Sequence, residues 1–247
     1  MLKGFWKLTW VETKVFAREP LGLVGSIVMP VIIFVVFGRA LGAGRATLAP
    51  AAQPPFNVAI LAAIVIAIGA VQSLVSIISI YREGGILKRL RATPLSPVTI
   101  LGAQVVVKLA FTVISLALLV LAGRRLFPGV MQVNLPSFTA ALLLGTLSIL
   151  SLGFVLASLV PTARFAQLIG AAVLYPMLAL SGLFYPFDRF PRWLQVVAYG
   201  FPTTHAVALL QGVWDGSGWS AHWGNAVALV IFFAACTALS TKVFRWE

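Results

Sequence analysis

Residues 81–97, from Tyr81 to Pro97, read YREGGILKRLRATPLSP, and the interpretation of the whole sequence starts from this stretch. It is a densely charged break in apolar sequence, with ionic side chains at Arg82, Glu83, Lys88, Arg89 and Arg91. The segments on either side are long and apolar enough to cross a bilayer. We therefore predict a short basic loop between two membrane-spanning helices, where a partner protein can hold the membrane domain. Residues 81–97 are called the basic loop below.

The composition predicts an all-α integral membrane protein. The chain has 247 residues, of which 60% are hydrophobic and 10% charged, whereas soluble domains are about 25% charged. A net charge of +12 would suggest nucleic acid binding in a soluble protein, but here the basic residues lie in short loops, where they set topology. The single cysteine, Cys236, has no partner for an intrachain disulfide, and no Cys/His spacing fits a metal site.

Six apolar segments have about the length of 20 residues that a membrane span requires. They lie near residues 21–41, 57–80, 98–122, 136–160, 165–185 and 222–244. Residues 186–221 contain two apolar pieces that are too short to span, and we expect one or two re-entrant or interfacial helices there. The prediction is a single transmembrane domain over residues 1–247, with a six-span region at 21–244 behind an N-terminal segment, 1–20.

Residues 1–20 have the pattern of an interfacial helix. At roughly 100° per residue, basic residues form one stripe, apolar residues interrupted by Glu12 form the opposite arc, and two tryptophans lie between. The stripe is Lys3, Lys7, Lys14 and Arg18, the arc is Phe5, Leu8, Val15 and Phe16, and the tryptophans are Trp6 and Trp10. This pattern suits the boundary of a bilayer. A partner-binding helix and a simple lipid anchor both fit it.

The distribution of Lys and Arg predicts the orientation of the chain. With six spans and the N-terminus inside, eleven basic residues fall in cytoplasmic segments and six in outer segments, with Lys108 inside a span. Cytoplasmic loops of membrane proteins are enriched in Lys and Arg. We therefore expect a multi-pass protein of the cell membrane with both termini and the basic loop in the cytoplasm, and residues 186–221 outside.

The basic loop is predicted to contain a short helix. Gly84 and Gly85 permit a sharp turn, after which residues 86–91 can form a helix that ends before Pro94. Its apolar face carries Leu87 and Leu90, and such a face can dock into a groove on a partner. By composition alone, an ordinary positive-inside loop is the favoured interpretation.

Two motifs resemble the permeases of ABC-2 type exporters. The first is REGGILKRLRATPLSP at residues 82–97, where the family's usual form is close to EGTLKRLRxTP[LV]. The second reads LSG at 180–182, YP at 185–186, FPRWL at 190–194 and FPTT at 201–204, which is similar to the family's fifth span and outer helix. The chain departs from the family in having Glu83 as the single acid before the glycines. Six spans also agree with the family, so the resemblance covers essentially the whole chain.

The resemblance implies a permease subunit that is not itself an enzyme. A separate P-loop ATPase would bind ATP and magnesium, and a second permease copy, as homodimer or heterodimer, would complete the channel. No GxxxxGK[ST] phosphate loop occurs in this chain, so no cofactor is expected in it. The residues that would couple to the ATPase are Glu83, Leu87, Lys88, Arg89, Leu90 and Arg91. The N-terminal helix would flank the same ATPase.

The resemblance also implies that the second and fifth spans face the substrate path. Polar residues on these spans are Gln72, Ser76 and Ser79 on one stripe, and Gln167, Tyr175 and Ser181 on the other segment. From the residues alone, packing between helices is the favoured role of the stripe on the second span, and a lining of the substrate path is the alternative. Pro176 is expected to kink the fifth span. We expect the long stem of Lys108 to carry its ammonium to the cytoplasmic face; the alternative is a buried partner or a substrate contact.

The predicted function is ATP-driven export of an amphipathic small molecule, such as a drug, or of a lipid-linked substrate, by alternating access. Export of a lipid-linked polysaccharide is the nearest alternative, and a stand-alone secondary carrier is a second class. Ion-driven carriers usually have intramembrane carboxylates, and all six acidic residues here lie outside the predicted spans. His205 and His222, with Asp188 and Asp215, fit no metal or hydrolytic motif; we expect them to be ordinary loop residues.

Overall fold

A computed structural model describes residues 2–45, 57–86, 97–126, 133–159 and 162–243. Within those ranges the chain is helical and forms no strand. The first helices are α1 (Leu2–Ala17), α2 (Pro20–Leu23), α3 (Met29–Arg45), α4 (Val58–Glu83), α5 (Pro97–Leu126) and α6 (Leu135–Leu159). The later helices are α7 (Ala163–Ala179), α8 (Arg192–Tyr199), α9 (Pro202–Trp214), α10 (Gly218–Ala221) and α11 (Trp223–Val243). The all-helical prediction is confirmed for this part of the chain.

Four helices in the described ranges are long and apolar enough to cross a membrane. The qualifying segments are Ile60–Glu83, Thr99–Leu126, Leu135–Ser158 and Trp223–Ser240. The other two predicted spans correspond to shorter apolar helices, Val24–Ala40 and Leu168–Ala179. Four of the six predicted spans are therefore supported by length and composition, and the count of six stays a prediction.

Helix α4 is the centre of the described fold. It packs against α3, α5, α6 and α7, while α6 also packs against α9 and α11. Small residues allow these close approaches: a Cβ on Gly153 of α6 would lie 2.9 Å from Val71 Cγ1 of α4, and one on Gly145 would lie 3.0 Å from Ala206 Cβ of α9. Close backbone approach at small residues is the usual way in which membrane helices associate. Helix α11, by contrast, is largely exposed.

The first apolar segment is not a regular α-helix. A π-helical stretch, Val24–Val28, joins α2 to α3. The wider turn loosens the backbone ladder there, and the Ser115 hydroxyl of α5 donates a hydrogen bond of 2.8 Å to the Ser26 carbonyl. Gly69 of α4 approaches the same stretch, since a Cβ on it would lie 3.4 Å from the Gly25 carbonyl oxygen. The irregular turn is thus packed between α4 and α5.

Two of the helix ends that differ from the predicted ones bear on the candidate site. Helix α4 continues through Tyr81, Arg82 and Glu83, which the sequence had placed in the basic loop. Helix α7 ends at Ala179 rather than near residue 185, because Gly182 takes a positive φ of 82° that a helix does not allow. The apolar residues that follow Gly182 made the helix seem longer in the sequence.

Residues 186–221 fold into three short α-helices and a 3-10 turn at Phe187–Arg189, where the sequence predicted one or two helices. Pro191 precedes α8, and Pro202 occupies the first turn of α9, where proline's missing N–H costs no helical hydrogen bond. Most of α9 is buried against its neighbours, whereas Trp193 and Val196 of α8 are exposed. Whether these helices enter the membrane stays a prediction.

Candidate coupling site and substrate path

The described part of the basic loop is a tight turn at the end of α4. The Gly84 amide donates to the Ile80 carbonyl at 2.9 Å, and the Gly85 amide donates to the Arg82 carbonyl at 3.0 Å. Gly85 has a φ of 65°, a left-handed conformation that favours glycine. The two glycines therefore end α4 and turn the chain away from its axis, as the sequence predicted.

The predicted coupling residues fall mostly beyond this turn. Residues 87–91, which include Leu87, Lys88, Arg89, Leu90 and Arg91, lie outside the described residues. Glu83 is described, and it is exposed on the last turn of α4. Ile86, just after the glycines, is also exposed.

Helix α1 packs against this same end of the molecule. Tyr81 on the last turn of α4 donates a hydrogen bond of 2.8 Å from its hydroxyl to the Glu12 carboxylate. The rings of Phe16 and Phe111 of α5 meet edge to face, with centroids 4.5 Å apart. Helix α1 therefore contacts both helices that the basic loop connects.

The buried face of α1 differs from the predicted apolar arc. The residues turned inward are Phe5, Thr9, Glu12 and Phe16, at spacings of four, three and four. Val15 was predicted to lie in the arc but is exposed, and Glu12, predicted to interrupt it, is 3% exposed. Hydrophobicity alone misplaced this face, because its inner residues include polar side chains with partners on α4 and α5. Trp6 and Trp10 are exposed, as an interfacial position requires.

Lys108 is buried inside the chain, so the expectation that it reaches the cytoplasmic face is wrong. Its side chain is 1% exposed, and its ammonium donates a hydrogen bond of 2.6 Å to the Ser73 hydroxyl of α4. The same nitrogen lies 3.7 Å from the centroid of the Phe16 ring of α1, which is a cation–π geometry. The alternative of a buried partner is the correct one.

The predicted substrate-path residues of α4 occupy different environments. Gln72 and Ser76 are half-buried, whereas Ser79 is fully buried, and its hydroxyl has no hydrogen-bond partner among the described residues. Gln72 packs directly against Gly170 of α7, where a Cβ would collide with its side-chain oxygen. The structure therefore brings Gln72 to the contact between α4 and α7.

The candidates from the fifth predicted span do not form one surface. Tyr175 of α7 is 61% exposed, whereas Ser181 is buried and donates a hydrogen bond of 2.6 Å to the Leu178 carbonyl. Gln167 lies on α7, but its side chain is outside the described residues. Their assignment to a substrate path stays a prediction.

The histidines lie together at the opposite end of the bundle. His205 Nδ1 lies 2.9 Å from the Asn225 side-chain oxygen, and the Asn225 amide nitrogen lies 3.4 Å from His222 Nδ1. A cavity of about 500 Å³ adjoins His222 and Asn225, and its lining also includes Asp188 and Asp215. Among the described residues no group of three metal-binding side chains occurs. Both ring nitrogens of His205 are within hydrogen-bond distance of groups on neighbouring helices, Asn225 of α11 and the Tyr199 carbonyl of α8. These partners could not be predicted from the sequence.

The comparisons with known proteins test the family resemblance. A family profile described as ABC-2 type transporter matches residues 3–214, which is most of the chain. The chain belongs to the ABC-2 type transporter family. The match includes α1, the basic loop and the outer helices up to Trp214, so the resemblance drawn from two motifs is confirmed over the whole intervening segment.

Two relatives of this ABC-2 type transporter are named inner membrane transport permease YhhJ. They come from Escherichia coli K12 and Shigella flexneri, and each is 26% identical over 166 residues. The matched segment covers 66% of this chain and 44% of each relative, so the chain matches less than half the length of these relatives. Family membership and the four apolar helices together indicate a membrane protein.

Proposed function

We propose that this chain is the transmembrane permease subunit of an ATP-driven ABC exporter. It carries six spans, with both termini in the cytoplasm of a cell membrane, and it pairs with a second permease copy. A separate P-loop ATPase binds ATP and magnesium. The observation that carries the proposal is the family match across residues 3–214, together with the coupling-loop motif at the end of α4.

The arrangement at this end of the bundle supports a mechanical role for the basic loop. Its glycine turn directly ends α4, which packs against α3, α5, α6 and α7. A force on Leu87 and Leu90 would therefore act on α4 through only a few residues. Lys88, Arg89 and Arg91 would orient the loop against the ATPase, with Glu83 on the last helical turn.

The transported molecule is proposed to be amphipathic. The path residues proposed here are the hydroxyl and amide groups of Gln72, Ser76, Ser79, Gln167 and Ser181, with the phenol of Tyr175. None of them carries a charge, so they suit a drug-like or lipid-linked molecule better than a small ion. A lipid-linked polysaccharide is the alternative substrate within the same family.

The test is reconstitution of the permease in liposomes with and without its ATPase. We expect ATP-dependent movement of amphipathic fluorescent dyes or of a lipid-linked saccharide, and the two probes distinguish the substrate classes. Transport that proceeds without any ATPase would contradict the proposal and would favour a secondary carrier.

A double variant tests the coupling residues. Leu87→Asp with Leu90→Asp removes the apolar face of the predicted loop helix without touching any described span. We expect loss of ATP-driven transport with normal membrane insertion, because an apolar groove does not accept two carboxylates. The matched control is Leu87→Met with Leu90→Met, which keeps the face apolar and should retain transport. Full ATP-driven transport in the aspartate variant would contradict the proposed coupling role of Leu87 and Leu90.

A further inference from the structure

The contacts of Lys108 join three helices at one buried point. The ammonium donates a hydrogen bond to the Ser73 hydroxyl of α4 and lies over the Phe16 ring of α1. Tyr81 adds a second link between α1 and α4 through Glu12. We call Glu12, Phe16, Ser73, Tyr81 and Lys108 the polar junction.

The polar junction continues along one buried stripe of α5. Gln104, Lys108, Thr112 and Ser115 follow one another at spacings of four, four and three, and each is 2% exposed or less. Ser115 holds the π-helical turn through the Ser26 carbonyl. The stripe thus faces α1 at one end and the segment that follows α1 at the other.

Separating these helices would be costly in a membrane. A charged group inside the bilayer needs a partner, because no water is available there to replace a lost hydrogen bond. If α1 or α4 slid past α5, the ammonium would lose the Phe16 ring or the Ser73 hydroxyl. Tyr81 and Glu12 would separate in the same movement.

We propose that Lys108 is a positioning residue that holds α1 to α4 and α5, so that the three helices move as one body during transport. This inference rests on the proposed function, since it concerns movement in the transport cycle. It changes the role of α1 from a lipid anchor to a fixed part of the element that the basic loop drives.

A cross-link between α1 and α5 tests the proposal directly. Phe5 and Gly102 adjoin each other, since a Cβ on Gly102 would lie 3.5 Å from Phe5 Cε2. In a Cys236→Ser background, Phe5→Cys and Gly102→Cys are joined with a short bifunctional thiol reagent, and the single-cysteine variants receive the same treatment as controls. We expect the joined protein to retain ATP-driven transport. Loss of transport in the joined protein alone would overturn the proposal, because it would require α1 to move against α5.

Replacement of Lys108 tests its part in the junction. We expect Lys108→Met to lower the transport achieved per ATP hydrolysed several-fold, and Lys108→Arg to restore part of it, since arginine keeps both the donors and the ring contact. The control is Lys242→Met, which removes an equal charge from the exposed end of α11 and should leave the ratio unchanged. Equal effects at positions 242 and 108, or no effect at 108, would overturn the proposal.

A third measurement separates this proposal from the proposed function. Thermal unfolding of the purified permease in detergent requires neither ATPase nor substrate. We expect Lys108→Met to unfold at a lower temperature than Lys242→Met, and the reverse order would contradict the junction. If the wild-type protein shows no ATP-dependent transport but the unfolding temperatures have the expected order, the exporter proposal is contradicted and the buried polar junction is still supported.

Discussion

At the scale of single residues, Glu12 shows what the sequence could not reveal. A glutamate within an interfacial helix reads as a solvated residue, yet this one is 3% exposed and accepts a hydrogen bond from a residue 69 positions away. The position of the Lys108 ammonium could not be predicted either, because its long stem allows the ammonium to reach the membrane surface or to stay buried. The packing of α1 on α4 and α5 shows that it is buried.

Burial raises the pKa of the Glu12 carboxyl above its usual value of 4.5, although the Tyr81 hydrogen bond and the nearby Gln104 and Lys108 act in the opposite direction. Because the folded state holds this proton more tightly than the unfolded chain does, the stabilising contribution is fully present below pH 4.5. It is lost as the pH rises through the folded pKa.

We therefore predict that Glu12→Gln flattens the pH dependence of thermal stability. Glutamine keeps an oxygen for Tyr81 to donate to but carries no titrating group, so the wild type should lose stability relative to the variant as the pH rises above about 4.5. The unfolding temperature at a series of pH values measures this. Glu12→Ala is the companion variant, since it leaves the Tyr81 hydroxyl without its acceptor and should be less stable at every pH. Parallel pH curves for wild type and Glu12→Gln would contradict the assignment.

At the scale of helices, apolar length and turn chemistry predicted most elements. The ends of α4 and α7 were harder to predict, because Tyr81 and Arg82 look like loop residues and the segment after Gly182 looks like a span. The four long spans, the glycine turn at the end of α4 and the short outer helices follow from local sequence. The buried face of α1 cannot be predicted from local sequence, because contacts with α4 and α5 determine which of its side chains are buried.

The contact of α6 with α4 yields a prediction about packing. Gly153→Ala places a Cβ 2.9 Å from Val71 Cγ1 and 3.3 Å from Leu74 Cδ2, both fully buried. Overpacking of a dense interior costs about 1–3 kcal/mol, so we expect a clear loss of stability. Gly224→Ala on α11 is the matched control, since its Cβ would meet nothing within 4 Å. Unfolding in a denaturing detergent series compares the two, and equal stabilities would show that the α4–α6 contact is looser than described.

At the scale of the whole molecule, the basic loop and the outer segment are predicted to lie on opposite faces of the membrane. Ile86 and Asp188 are both exposed, so each can be replaced by cysteine in the Cys236→Ser background. A membrane-impermeant thiol reagent should label Ile86→Cys only from the cytoplasm and Asp188→Cys only from outside. Labelling of both from one side would contradict the six-span topology.

The family assignment was the part of the function that the sequence could support. The motif in the basic loop carries it, and the profile match extends it from α1 to Trp214. The substrate path could not be predicted in the same way, because hydroxyl and amide residues serve packing as well as binding. Ser79 and Ser181 are buried within the single chain, and their positions do not distinguish the two roles.

The unbroken course of α4 has a consequence for how force travels. Its 26 residues span about 39 Å at 1.5 Å per residue, without a proline or an irregular turn. Helix α7 contains Pro176, and a π-helical stretch precedes α3. Helix α4 is thus regular along its length, whereas two of its neighbours are interrupted. In the proposed transport cycle, a push at the glycine turn would act along the whole of α4, and the interrupted neighbours are where a change in helix shape is expected.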